Sequence, residues 1–201
     1  MTNTIQTSYS AFTLDYIRKQ FSIAISMQTF FPAVEPVIPS QLLVATLQRT
    51  ENLILASEKA RSEFLVAPIL LEVRAHLDNS INIYSGIRLD VAPEQGLQGI
   101  CDFLISKTPP TPTLQAPLLV LVEAKKNDID EGLGQCAGEM LAALRFNQAE
   151  GVANDIVYGC VTTGELWQFL RLQDTQLIID PHRLYIESID KILGMLIKML
   201  S

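Results

Sequence analysis

The chain reads as an α/β protein in which a central mixed β-sheet carries helices on both faces, and three observations predict this class. Segments with helical and strand-like apolar patterns follow one another in the order helix, three strands, helix, strand, and a sheet built in that order needs helical cover on both sides. The segment LLVLVEAK (118–125) opens on an unbroken apolar run, the pattern of a strand buried on both faces. Its 201 residues, 48% hydrophobic and 18% charged, suffice for one sizeable core, and no shift in composition divides them into two. A single domain over 1–201 is expected, with a helical lead-in (1–50), a core (51–185) and a C-terminal helix (186–201).

Each element has its own signal. Residues 13–25 carry a helix-like apolar pattern, a looser stretch with Pro32, Pro36 and Pro39 follows, and Ser40 stands as an N-cap before QLLVATLQR. From 51 to 77, Leu55, Ile69, Val73 and Leu77 recur at helical intervals, while Pro68 predicts a kink or division because it lacks the N–H of a helix interior. Strands are expected at 81–91, 99–106 and 118–125, the last two separated by the proline-rich KTPPTPTLQAP. A helix rich in small residues (132–148), a strand (155–163) and its hairpin partner after Gly164 (165–172) come next. TQLIID adds a further strand, and IESIDKILGMLIKML closes the chain as an amphipathic helix packed on the core.

A formal charge of −7 repels a polyanion, which counts against a free-standing basic-patch binder of nucleic acid. An acidic site filled by divalent cations escapes that argument, because bound metal inverts the local sign. MTNTIQTSYS lacks the basic and apolar regions of a signal peptide, and no apolar run is long enough to span a bilayer. A soluble, cytoplasmic protein without membrane contact is expected. Cys101, Cys136 and Cys160 lack metal-ligand spacing and read as small buried side chains, and His76 and His182 read as structural or surface residues. GLGQCAG, from Gly132, has the wrong spacing for a nucleotide loop; its glycines are expected to let the helix approach the sheet.

The chemistry concentrates where the apolar run of 118–122 stops. Acid, any residue, lysine occurs once, as Glu123-Ala124-Lys125. Period-two alternation puts Glu123 and Lys125 on one face and Ala124 on the other. A carboxylate at such a place needs a compensating cation, and a structural ion pair with Lys125 is the simplest one. Asp102, flanked by Cys101 and Phe103 in GICDFLIS, is a second acid in apolar surroundings. If the two strands are neighbours, Asp102 and Glu123 converge, and paired carboxylates share a proton or a metal such as Mg2+. Glu58 falls on the apolar arc of its helix and is expected to face the sheet, with an ion pair to Arg61 as the competing reading. Gln135 and Glu139 share a helical face, which leaves a site role and a solvated edge both open for Glu139.

Glu58 in a leading helix, Asp102 in a strand, Glu123-Ala124-Lys125 in the next and Gln135 in the following helix resemble the PD-(D/E)xK nuclease superfamily, with its restriction-endonuclease-like fold. The resemblance spans residues 51–170 and takes in GCVTTGELWQF as the late hairpin of such folds. It implies a core order α-β-β-β-α-β with extra N- and C-terminal helices, and a nuclease hydrolysing phosphodiester bonds of nucleic acid, in the first place DNA. It implies Mg2+ as cofactor, with Mn2+ as a substitute. Asp102, Glu123 and the Ala124 carbonyl would bind the metal, Glu58 would assist with metal or water, Lys125 would position or deprotonate the attacking water, and Gln135 would orient groups at the site. Cys101 departs from the proline of the motif name, and Lys126 competes for the lysine role although alternation turns it to the other face. The alternative is an inert binding or assembly module on the same fold, since some members keep the fold and lose catalysis. Arg61, Arg74, Arg88, Lys107, Lys126 and Arg145 are dispersed, so a basic track needs folding or a homodimer to assemble it.

Overall fold

The computed structural model describes residues 8–125, 128–153 and 155–201. After a short 3-10 turn, helix α1 (Leu14–Gln20) is capped by Thr13, whose side chain accepts the Tyr16 N–H. The expected helix over 13–25 stops there, because Ser22 takes φ 56° and the chain turns into strand β1 (Ala24–Met27). The lead-in is therefore not wholly helical. SIAIS alternates with period two, and a sheet edge satisfies that pattern better than a further helical turn does.

Helix α2 (Gln41–Thr50) starts as expected at Ser40, whose Oγ accepts the Leu43 N–H at 3.2 Å. Helix α3 (Glu58–Arg61) passes through a π-helical stretch, Ser62–Val66, into α4 (Ala67–His76). The widened turn lies directly ahead of Pro68, where the helical hydrogen-bond ladder loses a donor. Strands β2 (Asn82–Arg88), β3 (Ile100–Ser106) and β4 (Leu118–Ala124) follow. Helix α5 (Ile129–Ala149) begins three residues before the expected start, because Asp128 caps it by accepting the Asp130 N–H at 2.8 Å. Strands β5 (Ile156–Thr162), β6 (Leu166–Gln173), β7 (Gln176–Ile179) and the short β8 (Leu184–Tyr185) precede helix α6 (Ile189–Leu200).

The strands form one mixed sheet in the order β1-β7-β6-β5-β4-β3-β2, with β8 added to β6. The pairs β4–β5 and β1–β7 are parallel and the others antiparallel. On one face α5 and the N-terminal segment bury Phe12, Ile17, Met140 and Leu144 against Val157, Val161 and Leu170. On the other, α2, α4 and α6 bury Leu43, Ile69, Val73, Ile192 and Leu196 against Phe103, Val120, Val122 and Phe169. Trp167 is part of this core, its Nε1–H donating to the Gly164 carbonyl at 3.0 Å. The central strands thus lie between two apolar layers, as the unbroken run in β4 requires. No helix among the described residues is long and apolar enough to cross a membrane.

Candidate functional site

The parallel pairing of β4 and β5 sets Glu123 beside Val161 and Ala124 beside Thr162, so both carboxyl ends open at one edge of the sheet. In open α/β sheets that edge is where ligands are held. Strand β3 brings the second acid to it. Phe103 pairs with Val122, and one step further along the ladder Asp102 comes abreast of Glu123. Asp102 Oδ2 accepts the Ala124 N–H at 2.8 Å, which ties the two strand ends together.

Glu123 and Lys125 share the α5 face, as alternation predicts. Lys125 Nζ donates to Glu123 Oε1 at 2.8 Å and to Gln135 Oε1 at 3.0 Å. Gln135 Nε2 in turn donates to Glu139 Oε1 at 3.1 Å. Glu139 is wholly buried, so the solvated-edge reading of this residue falls away. The approach of helix to sheet depends on Gly132, where a Cβ would lie 2.6 Å from Val161 Cγ1 and 3.0 Å from Lys125 Cγ.

Burial raises the carboxyl of Asp102, opposed by the Ala124 N–H and by Lys125. Burial also pushes Glu123 up, with the Asp102 charge adding to it, to about 7. Glu139 is raised well above the ordinary carboxylate range by burial and by Glu123. For Lys125 burial acts downward, but the charge and hydrogen bond of Glu123, with Glu58 and Asp102, outweigh it and raise the ammonium. The lysine is therefore a fixed cation here rather than a base. Glu123 Oε2 and Glu139 Oε2 are both buried and receive no N–H donor. The two carboxyls lie within hydrogen-bond reach of each other, so a single proton between them would supply the donor that both oxygens lack.

Asp102, Glu123, Ala124, Lys125 and Gln135 are thus brought together. Glu58 stands differently from expectation, exposed at the first turn of α3 rather than buried on the sheet. Ser57 caps that turn and holds it at the rim, from where the Glu58 charge acts on Asp102 and Lys125. Arg61 does not take Glu58 as its partner; its Nη1 donates to the Thr163 carbonyl at 2.9 Å and lies 3.3 Å from Glu165. Cys101 is buried, and burial followed by the charges of Glu139 and Glu123 pushes its thiol far up, which makes it inert. Lys126 lies outside the described residues. Sequence reasoning left Glu139 undecided; the signal was an acid four residues after Gln135, among Cys136, Gly138 and Met140.

Among the described residues no group of three or more His, Cys, Asp or Glu side chains is placed to hold a metal ion. A four-sided protein cage is therefore not the chemistry on offer. Asp102 and Glu123 make a pair, and Glu123 Oε2 is a buried acceptor without an N–H donor. That set fits a hard cation held by one or two carboxylates and completed by water and substrate oxygens, as Mg2+ commonly is. A cavity of about 540 Å³ lies away from these carboxylates, between α2 and the start of β6, with Arg61 on its wall.

The arginines of the dispersed basic set have partners within the fold. Arg74 donates to the Ile81 carbonyl and to Asn79, Arg88 pairs with Asp90, and Arg145 donates to Gln95 and stacks over Phe21. No protein-family model matches the chain, and no match is found among curated proteins.

Proposed function

We propose that this chain is a Mg2+-dependent nuclease of the restriction-endonuclease-like fold, hydrolysing phosphodiester bonds of nucleic acid, in the first place DNA, in the cytoplasm. The observation that carries the reading is the meeting of Asp102, Glu123 and Lys125 at the open end of the β4–β5 pair. Asp102, Glu123 and the Ala124 carbonyl would hold the cation, with Mn2+ as a substitute. When bound, it lowers the pKa of its water and neutralises charge on the phosphate. Lys125 supplies a fixed positive charge beside the attacking oxygen, and Gln135 keeps that charge in place. Glu58, at the rim, assists by orienting water.

A second reading is favoured by a specific observation. Lys125 already compensates Glu123; Arg61, Arg74, Arg88 and Arg145 are engaged within the fold; and the net charge is −7. An inert binding or assembly module fits those facts, and a nuclease needs bound cations or a homodimer to complete its substrate track.

Calorimetric titration of Mn2+ and Mg2+ into the wild type and into Asp102→Asn, with the fold of each checked by circular dichroism, separates the two. Binding that disappears in the folded variant supports the nuclease, and Mg2+-dependent nicking of supercoiled DNA completes the case. No binding to either protein at millimolar ion favours the inert module.

A further inference from the structure

We propose that Glu139 is a positioning residue that fixes Lys125 by setting the orientation of the Gln135 amide. The consequence for cleavage rests on the nuclease reading; the action on the lysine does not. An ammonium only donates, so whatever faces Lys125 Nζ at 3.0 Å must be the amide oxygen of Gln135. That choice turns the amide nitrogen the other way, where it needs an acceptor. Glu139 Oε1 is that acceptor at 3.1 Å, one helical turn along α5.

The burial pattern shows that this arrangement is not incidental. Glu139 has no exposed surface, and its neighbours on α5 are Cys136, Met140 and Ala142, all buried. An acid in such a setting is costly unless its oxygens are engaged. A leucine would fill the same space at lower cost, but it would leave the amide nitrogen of half-buried Gln135 without its acceptor, so the amide is free to swing away from Lys125 in search of one. Lys125 then would keep only Glu123 as a partner. Any cation arriving at Glu123 competes with the ammonium for that carboxylate, and the Gln135 oxygen is what retains the lysine at the site.

The test reads the lysine directly. Lys125 is modified with trinitrobenzenesulfonate and quantified by peptide mass spectrometry, with exposed Lys59 of the same chain as internal reference, in wild type, Glu139→Gln, Glu139→Leu, Gln135→Leu and the double leucine variant. Glu139→Leu and Gln135→Leu each raise the Lys125 rate relative to Lys59 by about fivefold, the factor that one lost hydrogen bond brings. The double variant matches Gln135→Leu alone, because Glu139 acts through the amide. Glu139→Gln, which still accepts from Gln135, stays at the wild-type rate. An unchanged rate in Glu139→Leu, or full additivity in the double variant, overturns the proposal. Should the leucine variants not fold, the Gln135 side-chain amide protons of the wild type are followed by NMR. Exchange much slower than that of free glutamine supports the bond to Glu139, and exchange at the free rate overturns it. None of these readouts uses cleavage, so the role of Glu139 is decided even in a chain without nuclease activity.

Discussion

Glu123 and Glu139 lie within hydrogen-bond reach of each other, both buried, and each leaves its Oε2 without a hydrogen-bond partner, a lack that one proton shared between them would make good. This predicts a stability that declines with rising pH. Glu123 is raised from 4.5 to about 7 by burial and by Asp102. Below the lower value folded and unfolded chains both carry the proton; between the two only the folded chain does. The folded state therefore binds more protons in that window, and its advantage is lost as pH rises through it. The loss is on the order of 3 kcal/mol for Glu123 alone, with Glu139 acting in the same direction. Urea unfolding in chelator from about pH 5 to 8 should show the midpoint falling. In Glu139→Gln, which offers Glu123 a permanent N–H, the fall shrinks. A midpoint that stays level or rises across the window rules out the shared proton.

The same oxygen is wanted by proton and cation, so the nuclease reading predicts that metal affinity is pH-linked. Raising the pH from about 6 to 8 should tighten Mn2+ binding, by up to tenfold per unit for each proton released. Titrations in buffers of differing ionisation enthalpy count those protons. Pure Coulomb attraction without proton release would give a constant affinity once Asp102 is ionised, and Asp102→Asn should abolish binding at any pH.

Lys125 carries its charge on a narrow stem between two acceptors, Glu123 Oε1 and Gln135 Oε1. Lys125→Met should keep the fold and lower Mg2+-dependent nicking by about a hundredfold or more. Lys125→Arg should not restore it, because a planar fork cannot place one donor between two oxygens as an ammonium does. Nicking by Lys125→Met at the wild-type rate would make the lysine a structural counter-ion only.

The core strands and α5 were legible because their signals are local: apolar runs, period-two alternation, and punctuation by Pro and Gly. Alternation alone placed Glu123 and Lys125 together, and it did so correctly. Glu58 was misplaced for a related reason. A helical arc drawn through residues 51–77 assumes a single helix, whereas α3 begins at Glu58 behind the Ser57 cap and a π-helical stretch shifts the phase afterwards. The 13–25 segment failed because α1 and β1 adjoin at Ser22, where one positive φ switches the period from 3.6 to 2. Glu139 could not be settled from sequence, since its meaning depends on how closely α5 lies on the sheet.

That closeness rests on Gly132, and it gives a prediction that separates packing from site geometry. A Cβ at Gly132 would meet Val161 Cγ1 at 2.6 Å and Lys125 Cγ and Cε at 3.0 and 3.1 Å. Val161 is a β-branched residue locked in the sheet core, so the start of α5 must lift and carry Gln135 with it. One turn face away, a Cβ at Gly134 would meet the Phe12 carbonyl at 2.4 Å and Thr13 Cα at 2.5 Å. There the N-terminal segment has to move instead, since backbone atoms have no rotamer to change. Each alanine substitution should cost roughly 1–3 kcal/mol in urea unfolding. Only Gly132→Ala should also raise the modification rate of Lys125 and slow nicking; Gly134→Ala should leave both near wild type and expose residues 8–20 to limited proteolysis. Equal effects of the two on Lys125 would mean that the lysine responds to global loosening rather than to the height of α5 above β4 and β5.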